Sequence, residues 1–468
     1  MAPWLAIAWY VAEWIVRLGA LIVVPRQRSP AETRAWLLLL FFQPVPGLLL
    51  FLAIGRSRFP EWRRARFRDV LSSLKQMSDG LVAYALDDDD DPMLPAAALA
   101  TKLGYLPAVR GNTVELIDDY DAVIDRLIED IDAATVSVHL LVYIFANDGV
   151  GTRVAEALGR ARDRGVDVRV MFDPVGSRPW RRGTSKLLAR HNVCVQEALP
   201  FRLWRYRTRR DMRNHRKLFV VDERIGYIGS QNIVAKDFRA GIVNRELMAR
   251  VTGPIVTSLA TVVRLDWTLE AGGQPADPVA ICAPTGNTVA QLLPSGRDYP
   301  VQGFETMLVW QLHRACHRVV IVTPYFIPDE ALLSAMRTAA LRGVTVDLVL
   351  SKVIDQRLVH FAQSSYYDEV FAAGVRIWLF RDYLLHAKNV SVDGAFAVVG
   401  SSNVDLRSFQ LNEEASLLLY DAASVTAVET IQQGYIDASD RLLPNEWTHR
   451  SPARKLLENC ARLISSLL

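Results

Sequence analysis

Two long apolar runs open the chain. Residues 4–24 (WLAIAWYVAEWIVRLGALIVV) and 37–54 (LLLLFFQPVPGLLLFLAI) are each about long enough to cross a hydrocarbon core of roughly 30 Å, and together they predict an N-terminal membrane hairpin. The first run lacks a basic start and is followed by a second, so it does not read as a cleavable signal. Glu13 and Arg17, four apart within it, are expected to pair or to lie near an interface, because a lone charge at bilayer centre costs roughly 2.5–3.5 kcal/mol. Pro44-Val45-Pro46-Gly47 interrupts the second run and permits a kinked span or a re-entrant turn.

From residue 112 the pattern becomes that of a globular domain. Leu116, Ile117, Tyr120, Val123, Ile124, Leu127, Ile128 and Ile131 recur at helical spacing. A buried strand over 137–145, a helix over 151–164 and a strand over 166–173 then predict a βαβ unit. The same order returns as a helix over 304–316, a strand over 318–328, a helix over 329–341 and a strand over 344–350, and Arg164-Gly165-Val166 is answered by Arg342-Gly343-Val344. A repeat of this period predicts an α/β fold of two similar halves, mixed sheets flanked by helices, about a pseudo-twofold. The expected divisions are membrane segments in 1–60, a basic and then acidic linker region in 61–111, the two halves in 112–273 and 274–445, and an amphipathic tail in 446–468. In that tail Leu456, Leu457, Cys460, Leu463, Ile464 and Leu467 share one face, which suits a helix on a membrane or one packed on the body.

Composition sharpens this picture. At 468 residues the chain exceeds one ordinary domain, and 50% hydrophobic content points towards a membrane. Cys194, Cys282, Cys316 and Cys460 are scattered without CxxC spacing, which argues against a disulfide framework or a zinc site. Net charge is only +3, but the basic residues cluster. Arg56, Arg58, Arg63, Arg64, Arg66 and Arg68 outweigh Arg26, Arg28 and Arg34, so if both runs span, the rest of the chain is cytoplasmic. With Trp62 and Phe67 among them they suit contact with anionic lipid. DDDDDPMLP (87–95) reads as an exposed linker, since adjacent aspartates do not make a calcium loop. FRLWRYRTRRDMRNHRK (201–217) would serve a nucleic-acid groove or a surface drawing anionic headgroups, and the apolar runs favour lipid over nucleic acid.

The chemistry is written twice. In HRKLFVVDERIGYIGSQN (215–232) and HAKNVSVDGAFAVVGSSN (386–403), Lys follows His by two positions, Asp by seven and Asn by seventeen. A neutral imidazole can attack phosphorus and a charged one can donate a proton. A Lys two residues along a strand shares the face of the His and can neutralise phosphate oxygens. Asn232 and Asn403, with Ser230 and Ser402, can supply neutral donors to the same oxygens. Two copies provide one His to attack and one to act as acid. Asp222 and Asp393 stand at strand ends before turns, where a structural role suits Asp best. Downstream, Asn244-Arg245-Glu246 and Asn412-Glu413-Glu414 repeat an N-x-E element.

These paired HxKxxxxD motifs resemble those of the phospholipase D superfamily. Nearly end to end the chain is similar to the bacterial cardiolipin synthases, through YIF (143–145), DPVGS (173–177), RNHRK (213–217), TPYFIP (323–328) and DLRSFQLNEE (405–414). The resemblance implies catalytic His215, Lys217, Asp222, His386, Lys388 and Asp393, substrate contacts from Asn232, Asn403, Ser230 and Ser402, and Glu246 and Glu414 orienting the histidines. It implies phosphatidylglycerol and anionic membrane lipid as partners, a multi-pass protein of the bacterial inner membrane, and a phosphatidyl-histidine intermediate. No cofactor, metal or nucleic acid is expected, since the lysines supply positive charge. Family precedent leans towards His215 as nucleophile, while the near-symmetric motifs leave the choice open. The stretch 232–248 departs from the family pattern and bears on the acceptor. A hydrolytic phospholipase D, a transferase to another alcohol, a nuclease or a scaffold with a decayed site are the rival readings.

Overall fold

Short runs of Val, Ile and Leu buried on both faces form the centre of each half, as expected where helices cover a parallel sheet on both sides. The computed structural model describes residues 3–27, 30–55, 59–86, 91–200, 211–272, 279–299, 301–463 and 465. Most of the acidic run, the arginine-rich 201–210, and Arg28, Arg56, Arg58, Ile464 and Leu467 lie outside the described residues. The chain divides into two compact units, residues 1–64 with 201–212 and residues 65–200 with 213–468.

In the larger unit the first half contributes β1 (Val109–Ile117), β2 (Ser137–Val142), β3 (Asp167–Phe172), β4 (Cys194–Glu197), β5 (Leu218–Val221), β6 (Ile225–Gly229), β7 (Asn244–Arg245) and β8 (Met248–Thr252). The second contributes β9 (Thr288–Ser295), β10 (Arg318–Val322), β11 (Phe326–Ile327), β12 (Thr345–Ser351), β13 (Arg376–Phe380), β14 (Leu384–Leu385), β15 (Asn389–Val392), β16 (Phe396–Gly400), β17 (Val404–Asp405), β18 (Glu414–Leu419) and β19 (Ser439–Leu442). One sheet runs β19-β13-β12-β10-β15-β16-β18-β9-β1-β8-β6-β5-β2-β3-β4. Outward from the antiparallel β1/β9 pair, both halves repeat the same succession: three antiparallel neighbours, a fourth at β5/β2 or β15/β10, and then two parallel ones. The duplication visible in sequence is therefore a duplication of topology.

The parallel pairs are joined by the helices Gly149–Asp163 and Glu330–Leu341, which start the same way. Asp148 and Asp329 each accept a bond from the backbone N–H three residues on. Both stop the same way too, at Gly165 (φ +88°) and Gly343 (φ +93°), where the left-handed turn into the next strand favours glycine.

Structure and expectation differ at several places: Leu116 and Ile117, expected on the helical stripe, close β1, and the strand expected over 137–145 ends at Val142. The region assigned to a linker holds the helices Glu61–Gly80 and Leu94–Gly104 and the start of β1. Phe67, Val70, Leu74 and Met77 recur at helical spacing and are buried in the core, while Arg66 donates to the Leu269 carbonyl at 2.6 Å, so half of an arginine-rich helix is a packing element. The strand expected over 318–328 ends at Val322, because Pro324 has no N–H for a ladder. The C-terminal helix Pro452–Leu463 packs through Glu458 and Ala461 and leaves Leu456, Leu457 and Leu463 on the surface.

The smaller unit holds the apolar runs. The first is one helix, Pro3–Val23, long enough at about 1.5 Å per residue to cross a bilayer core. The second is broken at Gln43 into Pro30–Phe42 and Pro44–Ile54, each too short to cross alone. These helices meet around Ala20, Val24 and Leu40. Glu13 and Arg17 pair at 3.1 Å, and Arg17 also donates to the Phe41 carbonyl, which satisfies both charges within the unit.

Candidate active site

Two backbone ribbons bring the motifs together. The His215 N–H donates to the Glu413 carbonyl at 2.8 Å and the Glu413 N–H to that of Arg213 at 2.8 Å. On the other side β14 lies parallel to β7, and the His386 N–H donates to the Arg245 carbonyl at 2.8 Å. Each histidine therefore enters the site alongside the N-x-E element of the opposite half.

The carboxylates cross as a result. His215 Nδ1 lies 3.0 Å from both carboxylate oxygens of Glu414, and His386 Nδ1 lies 2.7 Å from Glu246 Oε1. With Nδ1 committed, Nε2 is the ring nitrogen left for chemistry on each side. Glu414 also accepts from Ser401 Oγ at 2.5 Å and Ser408 Oγ at 2.9 Å, whereas Glu246 has one hydroxyl, that of Ser230, and the more distant Asn244 Nδ2 at 3.5 Å.

Both imidazoles line one cavity of about 340 Å³, together with Asn232, Asn403, Arg213, Arg239 and Arg407. Tyr143 stands edge-on to His215 at 4.8 Å between ring centroids, and Tyr325 to His386 at 6.4 Å. Asn232 Oδ1 accepts from the Ile144 N–H, which leaves its amide NH₂ as the donor for the cavity. The lysines lie one layer beneath, where Lys217 Nζ donates to the His215 carbonyl at 2.6 Å and Lys388 Nζ to that of His386.

Burial dominates the electrostatics. It pushes His215 down to about 4 against the pull of Glu414, with the Lys217 charge adding to the fall. His386 is lowered for the same reasons, with Glu246 opposing and Lys388 assisting. Burial brings Lys217 down to about 7 and Lys388 to about 8, although Glu414 and Glu246 hold them up. For Glu246 and Glu414 burial works upwards, but the facing histidine and lysine charges outweigh it and keep both carboxyls below their ordinary range. An anionic phosphate entering this cavity would raise the pKa of every one of these bases.

Other predicted residues stand apart. Asp222 accepts from the Thr135, Val136 and Ser137 N–H groups at 2.7–2.9 Å and from Thr135 Oγ1 at 3.0 Å. Asp393 accepts from Cys316, His317 and Arg318 N–H at 2.7–2.8 Å. Each has positive φ (+52° and +53°) and ties the turn after one motif strand to the chain entering the next strand, so the motif aspartates are anchors and not cavity residues. Ser402 faces Ser416 at 3.3 Å, and the position equivalent to Ser230, fifteen residues after the motif histidine, is Ser401. Ser230 and Ser401 accept from the Leu247 and Ala415 N–H groups and bond Glu246 and Glu414, so they brace the glutamates and do not line the cavity. The serine of GSSN that answers Ser230 is the first, Ser401, and not Ser402.

Sequence reasoning also missed the support under His215. Arg216, fully buried, donates to Asp266 at 2.6 Å, to Glu413 at 3.0 Å and to the Glu414 carbonyl at 2.9 Å, and Asn214 Nδ2 reaches Asp266 at 2.8 Å. Ala387 stands at the matching position in the second half, so this charged scaffold exists on one side only. A lone Arg between a motif His and Lys was its sole signal.

A doubled mixed α/β lobe carrying two histidines into one cavity is the architecture of the phospholipase D class, and the chain is an enzyme of that class. The family profile described as "Cardiolipin synthase, PLD-like domain" matches residues 127–267 and 308–434, and "Phospholipase_D-nuclease N-terminal" matches residues 15–56. The chain belongs to the phospholipase D-type cardiolipin synthase family. It is 32% identical to cardiolipin synthase A of Edwardsiella ictaluri, covering 99% of this chain and 98% of that one, and 32% identical to cardiolipin synthase A of Escherichia coli O1:K1, covering 100% and 99%. Among solved structures, phosphatidylserine synthase of Haemophilus influenzae shares the fold with a TM-score of 0.59 at 16% identity, over 80% of this chain and 100% of that one. Polyphosphate kinase of Porphyromonas gingivalis shares it at 0.51 and 14%, over 78% and 54%.

Proposed function

We propose that the protein makes cardiolipin by moving the phosphatidyl group of one phosphatidylglycerol onto a second, with release of glycerol. The observation that carries this is the pair of imidazoles on one cavity, each backed at Nδ1 by a buried carboxylate from the opposite half. His215 Nε2 attacks the donor phosphorus, a P–N bond forms, and the P–O bond to glycerol breaks as His386 gives its proton to the departing oxygen. An incoming lipid hydroxyl then returns a proton to His386 while its oxygen attacks phosphorus and the P–N bond breaks. The phosphohistidine conserves the bond energy, so no nucleotide enters. Lys217 and Lys388 offset the phosphate charge, and Asn232 and Asn403 donate to its oxygens.

The unequal carboxylates support this division of labour. Ser401 and Ser408 satisfy Glu414, so it holds less charge for His215, which stays neutral as a nucleophile must. Glu246 is less occupied and better able to keep a proton on His386. The helix Pro3–Val23 supports membrane anchoring, and the broken second run reads as a re-entrant pair. The arginine-rich flank supports a cytoplasmic catalytic body at the bacterial inner membrane.

Purified enzyme in mixed micelles with labelled phosphatidylglycerol should yield cardiolipin and free glycerol in equal amounts. Phosphatidate as the sole lipid product would end the synthase reading and leave a hydrolase.

A further inference from the structure

Cardiolipin synthesis asks two copies of one lipid to play different parts, yet most of this site is doubled. The motif histidines and lysines, Asn232 and Asn403, Tyr143 and Tyr325, and Arg239 and Arg407 are paired one from each half at or beneath the cavity, so residue type alone does not distinguish the lipid that donates phosphorus from the lipid that donates a hydroxyl. The distinguishing element must be one whose two copies have diverged in structure.

The clearest break in symmetry lies between each motif Asn and its Glu. Asn232 to Glu246 spans 14 positions and Asn403 to Glu414 spans 11, so the first half carries three more. In the second half this stretch forms the short helix Leu406–Gln410. In the first it is a set of turns closed by the Ile242 N–H on the Arg239 carbonyl at 3.0 Å, with Gly241 at φ +75°. Arg239 is thereby carried across the cavity to the second half, where it pairs closely with Asp355.

That pairing fixes which side of the cavity the guanidinium occupies. Tyr325 donates its hydroxyl to Asp355 at 2.6 Å, and its ring stands against His386. Gln356 in turn donates to the Tyr325 hydroxyl at 3.0 Å. Arg239 therefore sits on the His386 side, where glycerol departs and the acceptor hydroxyl arrives. Its side chain is 36% exposed, lies over the Phe238 ring at 5.0 Å and lines the cavity. A guanidinium offers five N–H donors in a plane suited to phosphate oxygens, and Asp355 meets Nη1. Arg213, by contrast, is buried against Asp173 and the Leu199 carbonyl, and Arg407, the counterpart of Arg239, lines the cavity from the shorter helical stretch Leu406–Gln410 without the three extra positions.

We infer that Arg239, held by Asp355 beside Tyr325, forms a second phosphate subsite that takes the intact phosphodiester of the acceptor lipid and so selects a phospholipid over water or a small alcohol. This rests on the synthase reading above, with His386 as the group that meets the acceptor. The subsite acts after the phosphatidyl-histidine has formed, so it governs how that intermediate is divided between acceptors.

The test is a competition for the common intermediate. Full-length enzyme in mixed micelles of labelled phosphatidylglycerol receives a fixed concentration of ethanol, and cardiolipin is counted against phosphatidylethanol. For Arg239→Gln the ratio should fall roughly ten- to hundredfold, the loss expected when one charged hydrogen-bonded contact to phosphate is removed, and Arg239→Lys should fall between Gln and wild type. The ratio is independent of how much enzyme is folded. An unchanged ratio would overturn the inference, and so would loss of both products together, which would place Arg239 in the donor step. Wild type that makes phosphatidylethanol but no cardiolipin would sink the synthase reading itself, whatever Arg239 does.

Discussion

The crossed carboxylates make a prediction that neither motif alone would suggest. Glu246 lies in the first half but bonds the second-half histidine, so Glu246→Gln should reproduce in weaker form the defect of His386→Ala, and Glu414→Gln that of His215→Ala. A hydrogen bond to a buried charged group contributes about 1.5–3 kcal/mol, and at about 1.36 kcal/mol per factor of ten each substitution should slow its own step roughly 10- to 150-fold. A phosphatidyl p-nitrophenyl ester separates the two steps, because its leaving group needs no proton. With it, Glu246→Gln should keep a near wild-type burst of nitrophenolate and then turn over slowly, whereas Glu414→Gln should slow the burst itself. The pH dependence has a defined sign as well. Glu246 pulls the His386 pKa upwards against burial, so its loss lowers that pKa further and moves the alkaline limb of phosphatidylglycerol turnover to lower pH. A burst slowed by Glu246→Gln and spared by Glu414→Gln would reverse the roles of the histidines. Equal slowing of both would refute the division of labour.

Two further outcomes follow from the same structure. Asp222→Ala strips four hydrogen bonds from a turn at positive φ and should cost about 2 kcal/mol in urea unfolding, with activity lost in proportion to folded protein; Asp222→Asn, whose single amide oxygen can keep the Val136 and Ser137 bonds while its NH₂ faces the Thr135 donors, should recover part of it, and a folded but inactive Asn variant would return the motif Asp to the chemistry. Lys217 at about 7 and Lys388 at about 8 must be charged to receive phosphate, so kcat/KM, which reports the free enzyme, should decline as pH rises through that range; a flat profile to pH 9 would show that the lysines are not the cations in use.

Much of the fold was legible because the chain states it twice. A βαβ unit followed by a motif, repeated with matching Arg-Gly-Val punctuation, leaves few topologies open, and the sheet order outward from β1/β9 is the same on both sides as far as β4 and β13, beyond which the second half adds β19. What escaped was long-range. Nothing in local spacing reveals that Glu414 serves a histidine 199 positions away, because that contact is made by backbone ribbons pairing across the halves. The helix Glu61–Gly80 was hidden by its own arginines, which drew the eye from Phe67, Val70, Leu74 and Met77 at core spacing. Ser401 was missed through a one-residue choice in GSSN, and turn chemistry puts the motif aspartates at strand ends, where positive φ and backbone bonds hold them, while the motif name pulls them towards catalysis.

Reciprocal ribbons have a consequence for inheritance. A single ancestral lobe of this kind would have held a histidine with no counter-charge of its own, and could have worked only by borrowing a glutamate from a twin. Holding both lobes in one polypeptide keeps each histidine supplied with the other lobe's glutamate, and it lets the two intervening stretches differ, one a longer set of turns and the other a short helix.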